Sequence, residues 1–134
     1  MDLPAMQEIV LPKEPDTISA PGSLVRLLLR GARGGMIQST VPVGRTSRPI
    51  AHRSVYEIWY VLEGAGELWR SNGAQEKITA LTPGTSIDLE PGTAFQFRNV
   101  SPDADLKFIC VTMPAWPGED EAVPVPRGAW EPSV

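Results

Sequence analysis

The chain has a single histidine, His52, and five positions later a glutamate, Glu57, that interrupts an otherwise apolar run, Tyr56-Glu57-Ile58-Trp59-Tyr60-Val61-Leu62. Those two residue types suit proton transfer. An imidazole titrates near neutral pH, and a carboxylate held among Trp and Phe side chains has its pKa raised, because leaving water disfavours the charged form. Brought together, such a pair serves proton abstraction beside a carbonyl, elimination of water or an aldol-type cyclisation. The one cysteine, Cys110, lies in an apolar run and reads as a small core residue on a strand.

In extended geometry Glu57, Trp59 and Val61 share one face of their run, and Ile58, Tyr60 and Leu62 share the other. Both faces are apolar, so both need cover. A barrel interior supplies one; a terminal arm or a second subunit must supply the other, which points to a homodimer. Runs of the same kind predict strands over 24–30, 35–41, 56–62, 66–70, 76–80, 85–89, 94–99 and 106–113. Asn72-Gly73 reads as a hairpin, and Pro83-Gly84 and Pro91-Gly92 as turns. Many short strands joined by tight turns indicate an all-β sandwich or barrel. Residues 1–23, with Pro4, Pro12, Pro15 and Pro21, form an extended N-terminal arm. Residues 24–113 form the barrel. Residues 114–134, with five prolines and the polar stretch Glu119-Asp120-Glu121, read as a tail over the surface, anchored by Trp116 and Trp130.

A length of 134 residues suits one domain with a sizeable core. Apolar residues make up 42%, and Gly (12) and Pro (14) are spread as punctuation. The net charge of −4, with no Lys/Arg run, gives a phosphate backbone nothing to bind, so no nucleic-acid partner is expected; Arg26, Arg30 and Arg33 read as a solvated edge. No apolar stretch reaches the roughly 20 residues of a membrane span, and the N-terminal segment lacks the regions of a signal peptide. A single cysteine fits a reducing cytoplasm.

Two spaced segments resemble the cupin motifs. In the first, Gly44 is followed by five residues, then Ile50-Ala51-His52, four residues, Glu57, six residues and Gly64. In the second, Gly84, Gly92 and Asn99 fall in register, with Glu90 at the usual Pro position and Phe95 at the usual His position. About 20 residues separate the motifs, a short spacing of the bacterial type. The resemblance, over roughly residues 24–113, implies a cupin-type jelly-roll β-barrel of two antiparallel sheets with extended N- and C-terminal arms. In metal-dependent cupins, two His and the Glu of the first motif and the His of the second hold a transition metal. Here Ile50 and Phe95 replace two of those four, and no other imidazole exists to substitute. No tightly bound metal and no other cofactor are therefore expected.

The resemblance also places His52 and Glu57 in the barrel pocket, with Trp59, Phe95 and Phe97 beside them. Met36, Gln38 and Thr40 form one face of the preceding strand and supply Met36 and Gln38 as further substrate-binding candidates. Arg45 and Arg48, on the loop into His52, would close the mouth and attract an anion. An aromatic pocket with a few convergent polar groups suits a small organic ligand. The implied function is a metal-independent lyase, isomerase or cyclase using His52 and Glu57 for proton transfer. Two alternatives stand beside it. In one, the pair satisfies its neighbours in a noncatalytic binding or sensing module; in the other, the chain is a metal-dependent oxygenase or isomerase.

Overall fold

A computed structural model describes residues 3–134, and its only regular elements are strands. Residues 1 and 2 of the expected arm lie outside the described residues. In chain order the strands are β1 (Thr17–Ile18), β2 (Leu24–Arg30), β3 (Gly35–Val41), β4 (Ile50–His52), β5 (Tyr56–Glu63), β6 (Gly66–Ser71), β7 (Glu76–Leu81), β8 (Ser86–Leu89), β9 (Ala94–Asn99), β10 (Leu106–Met113) and β11 (Ala122–Pro124). They build two antiparallel sheets, ordered β1-β2-β3-β10-β5-β8 and β11-β4-β9-β6-β7. This is the two-sheet, all-β jelly roll that the resemblance implies. Among the described residues no helix is long and apolar enough to cross a membrane.

The core lies between the sheets, because alternation turns one set of side chains from each inward. β10 shows it most plainly: Leu106, Phe108, Cys110 and Thr112 are buried, and the residues between them are half-exposed. Ile50, Trp59, Val61, Leu68, Leu81, Leu89, Phe95 and Phe97 belong to the same cluster. Trp59 and Phe108 stack with centroids 4.1 Å apart, and Phe97 meets Trp59 edge-on at 5.2 Å.

The turns follow from their residues. Pro83-Gly84 and Pro91-Gly92 each fill the two central positions of a turn closed by an i to i+3 bond, Thr85 N–H to Thr82 O (3.0 Å) and Thr93 N–H to Glu90 O (3.1 Å). Proline presets the first dihedral and glycine takes the positive φ of the second, +92° and +85°. The Asn72-Gly73 connection is longer than a two-residue hairpin: Asn72 Oδ1 accepts from the N–H groups of Ala74 and Gln75, closing a four-residue loop. Gly64 is required twice over. Its φ is +89°, and a Cβ there would stand 2.4 Å from Asp105 O.

Three strands escaped the sequence reading because they are only two or three residues long, too short to show a period: β1, β4 and β11. β11 belongs to the stretch expected to be a surface tail. It pairs with β4, Ala122 opposite His52, and so extends the second sheet at the site. Beyond it the chain crosses the outer face of that sheet. Gln96 exchanges hydrogen bonds with the backbone of Trp130, and Arg98 lies 4.2 Å above the Trp130 ring.

Candidate functional site

Cross-strand register orders the barrel interior into layers. Phe108 on β10 stands between Val61 on β5 and Ser39 on β3; Cys110 between Trp59 and Ile37; Thr112 between Glu57 and Gly35. Glycine at position 35 leaves the third layer open. A cavity of about 670 Å³ occupies this space, walled by Trp59, Phe95, Phe97, Phe108 and Trp116, with His52, Glu57 and Cys110 among its lining.

His52 ends β4, with the Phe95 and Trp116 rings edge-on to it, each with its centroid 5.1 Å away. Its Nδ1 lies 3.8 Å from Glu57 Oε2, too far for a hydrogen bond, and is buried without a partner. The other carboxylate oxygen of Glu57 accepts from the Trp59 indole N–H, two residues along the same face, and the Cys110 thiol also hydrogen-bonds this carboxylate. Burial pushes the Glu57 carboxyl up to about 7, against those two hydrogen bonds, which favour its charged form. Burial brings His52 down to about 4, with the negative charge of Glu121 opposing. The Cys110 thiol is held well above its usual range, by burial first and then by Glu57. The His52–Glu57 spacing is that of an ion pair, but burial opposes charge on both members. Near neutral pH the site holds a neutral imidazole and a carboxyl populated in both forms.

Of the residues singled out in the sequence, Trp59, Phe95, Phe97, His52, Glu57 and Met36 line this cavity, Met36 at its exposed rim. Gln38, Arg45 and Arg48 do not. On β3 it is Ile37, Ser39 and Val41 that face inward, opposite the buried Cys110, Phe108 and Leu106. Polar Gln38 and Thr40 made their face look like the pocket face, yet they lie on the outside of the sheet under the N-terminal arm. There Arg26 bonds Gln38 Oε1 (3.2 Å) and the carbonyls of Pro12 (2.9 Å) and Lys13 (3.0 Å). Arg45 reaches Ser133 O (3.2 Å) and Arg48 reaches Ala20 O (3.3 Å), so both tie terminal segments to the barrel instead of guarding its mouth.

The structure adds residues that the sequence concealed. Trp116 covers His52 from the stretch read as a surface tail. Glu121 is 4% exposed although it ends a polar run, and accepts hydrogen bonds from Ser54 Oγ and the N–H groups of Ser54 (2.7 Å) and Val55 (3.2 Å). Burial pushes its pKa up, but these bonds outweigh the burial and hold its carboxyl below the usual range. It thereby fastens the Trp116 segment to the loop between His52 and Glu57. Glu119-Asp120-Glu121 carried no sign of which acid would turn inward.

The four positions that hold a metal in metal-dependent cupins are also visible. Ile50 and Phe95 face each other across β4 and β9, both buried, and offer hydrocarbon. His52 and Glu57 remain, with one Glu57 oxygen engaged by Trp59. Among the described residues no three His, Cys, Asp or Glu side chains are arranged to hold an ion. This donor set does not fit the family's metal centre.

Residues 38–112, more than half of the chain, match the cupin domain family. The chain belongs to the cupin family. Uncharacterized protein MJ1618 of Methanocaldococcus jannaschii is 29% identical over 111 residues, covering 79% of this cupin and 85% of the relative. Among solved structures, KdgF from Halomonas sp. superposes with a TM-score of 0.60 at 20% identity, covering 70% of this chain and 82% of that one. Streptomyces Pac13, described as a nucleoside dehydratase, was solved with uridine in a variant form; it gives a TM-score of 0.69 at 14% identity, covering 91% and 92%. At these identities the two structures show the fold alone.

Proposed function

We propose that this cupin is a metal-independent lyase or isomerase of small, oxygenated molecules, with Glu57 as the proton-transfer group and His52 as its polar partner. The observation that carries the reading is the Glu57 carboxyl buried in an aromatic cavity and facing an imidazole nitrogen with no partner of its own, a burial that pushes the carboxyl up to about 7. A group with that pKa is populated in both forms at neutral pH, which suits it to take a proton and return it. Ionised Glu57 takes the proton from a carbon beside a carbonyl. The carboxyl so formed returns it to a departing hydroxyl, releasing water, or to a neighbouring carbon, completing an isomerisation. Neutral His52 offers its ring N–H to the oxygen on which negative charge develops. The nucleoside dehydratase among the structural neighbours performs an elimination on this barrel, and that supports a reaction of the same class.

The test incubates the protein in deuterium oxide with uridine and a panel of small hydroxylated carbonyl compounds. Deuterium uptake and loss of water are followed by mass spectrometry. Glu57→Gln should lower the rate about 100-fold or more and His52→Ala at least tenfold. The rate should rise through about pH 7 as Glu57 ionises. Binding without exchange, or exchange untouched by Glu57→Gln, would instead favour a noncatalytic binding module.

We also propose that two copies associate. The outer face of β5 exposes Ile58, Tyr60 and Leu62, and the N-terminal arm exposes Met6, Ile9 and Val10, with neither covered by its own barrel. An apolar face and an apolar arm on the same chain are complementary when a second copy supplies the other half. Sedimentation showing only monomer at high concentration would rule this out.

A further inference from the structure

The cavity contains polar groups that proton transfer does not use. Ser19, Ser23 and Ser39 lie together on its wall, and Ser23 and Ser39 are 4% and 2% exposed. Ser39 Oγ donates to Ser23 Oγ (2.7 Å), Ser19 and Ser23 share a second bond (2.7 Å), and Ser19 Oγ accepts from the N–H groups of Gly22 (3.2 Å) and Ser23 (2.9 Å). Three hydroxyls carry three protons, and two bonds among them use two. One proton is left to donate, on the wall of a cavity lined mainly by carbon.

This donor lies far from Glu57. Ser39 stands opposite Phe108 and Glu57 opposite Thr112, four residues further along β10, or about 13 Å at the rise of an extended strand. Between the two ends run the aromatic walls. Charge is just as unevenly placed. Among the described residues the only Lys or Arg of the lining is Arg30, exposed at the rim, whereas the buried carboxyl is Glu57. An anionic ligand entering this space would lose its water, find no buried Lys or Arg and face a carboxyl whose charged form repels it.

We propose that the cavity selects an uncharged, flat-ringed ligand carrying oxygen at both ends, held by the Ser19/Ser23/Ser39 hydroxyls at one end and presented to His52 and Glu57 at the other, and that it rejects the acidic analogue. This rests on the cavity's being the ligand site, as argued for the proposed function, but not on any chemistry there. It excludes keto acids, uronates and phosphorylated compounds as preferred occupants.

Two probes of one shape decide it: a hydroxynaphthamide with its substituents at opposite ends of the rings, and the matching hydroxynaphthoate. Binding is measured by calorimetry on the full chain, and the indole N–H signals of Trp59 and Trp116 report occupancy. The amide should bind at least about tenfold more tightly than the carboxylate. In a Ser19→Ala/Ser23→Ala/Ser39→Ala variant the amide should weaken about tenfold. Should that variant not fold, the amide-to-carboxylate ratio on the unaltered protein still decides. Equal or tighter binding of the carboxylate, with the indole signals shifted, overturns the charge selection and leaves the cavity as a ligand site. An amide affinity unchanged in the folded triple variant removes the serine donor. Failure of both probes to shift either indole overturns the ring site itself. None of these outcomes depends on whether Glu57→Gln abolishes exchange.

Discussion

Positions 50 and 95 face each other across β4 and β9, and positions 52 and 57 converge a short distance away on the cavity wall. The barrel points all four side chains at the same region, yet one pair is Ile and Phe and the other His and Glu. The first pair has joined the core cluster, where its worth is packing. The second is buried almost as deeply, at 5% and 6% exposed, with an imidazole nitrogen left unpartnered. An unpaired buried polar atom costs stability, whereas buried hydrocarbon adds to it. One half of this constellation is thus held by packing, and the other half keeps a buried polar atom that packing alone does not account for.

The largest change expected is to convert the first pair back into donors. Ile50→His with Phe95→His would place three imidazoles and a carboxylate together, and metal analysis should then find about one equivalent of a divalent transition metal. The unaltered protein, purified with neither added metal nor chelator, should carry only traces; stoichiometric Fe, Mn, Ni or Zn there would erase the contrast between the pairs.

Next comes packing. Phe95→Ala should cost about 3 kcal/mol or more, because it deletes a ring that contacts both His52 and Trp59, whereas His52→Ala should cost less, because it also removes the unpartnered buried nitrogen. Urea midpoints would show the ordering, and a reversed order would make His52 the packing residue.

The subtlest effect is in pH. Glu57 is raised from 4.5 to about 7, so its contribution is complete below about pH 4.5 and is lost as pH rises towards 7. His52 is lowered from 6.5 to about 4, so its contribution is complete above pH 6.5 and is lost as pH falls towards 4. Each shift corresponds to about 3 kcal/mol. Between pH 4.5 and 6.5 the folded pair holds one proton, on Glu57, and the unfolded pair holds one, on His52, so the two slopes cancel. Taken relative to a variant lacking both groups, the protein should have flat stability across that window. Glu57→Gln should expose a loss towards acid, and His52→Ala a loss towards base. A sloping unaltered protein would mean that the folded pair holds a number of protons other than one in this window.

Much of this was legible beforehand. The spacing of Gly44, His52, Glu57, Gly64, Gly84, Gly92 and Asn99 carries the barrel because each of the structural positions meets a backbone demand. Asn99, for one, donates to Val41 O (2.9 Å) and Ala104 O (2.8 Å) and accepts from Ser101 N–H (2.7 Å). Eight strands were readable because each is long enough to show alternation. What misled the reading of Gln38 was polarity: a buried polar residue on a strand's outer face resembles a pocket residue until the arm that covers it is seen.

Residue type and spacing alone were enough for eight of the strands, the Pro-Gly turns, the survival of His52 and Glu57, and the loss of imidazole at 50 and 95. Those depend on local residue type and on spacing along the chain. Only the tertiary structure decided which face of β3 lines the cavity, that Trp116 and Glu121 return from the C-terminal segment to close over His52, and that three scattered serines meet on one wall. The physical reason is that burial and hydrogen-bond partnership depend on residues far apart in the chain. Both pKa shifts, and the unpartnered nitrogen between them, come from that burial.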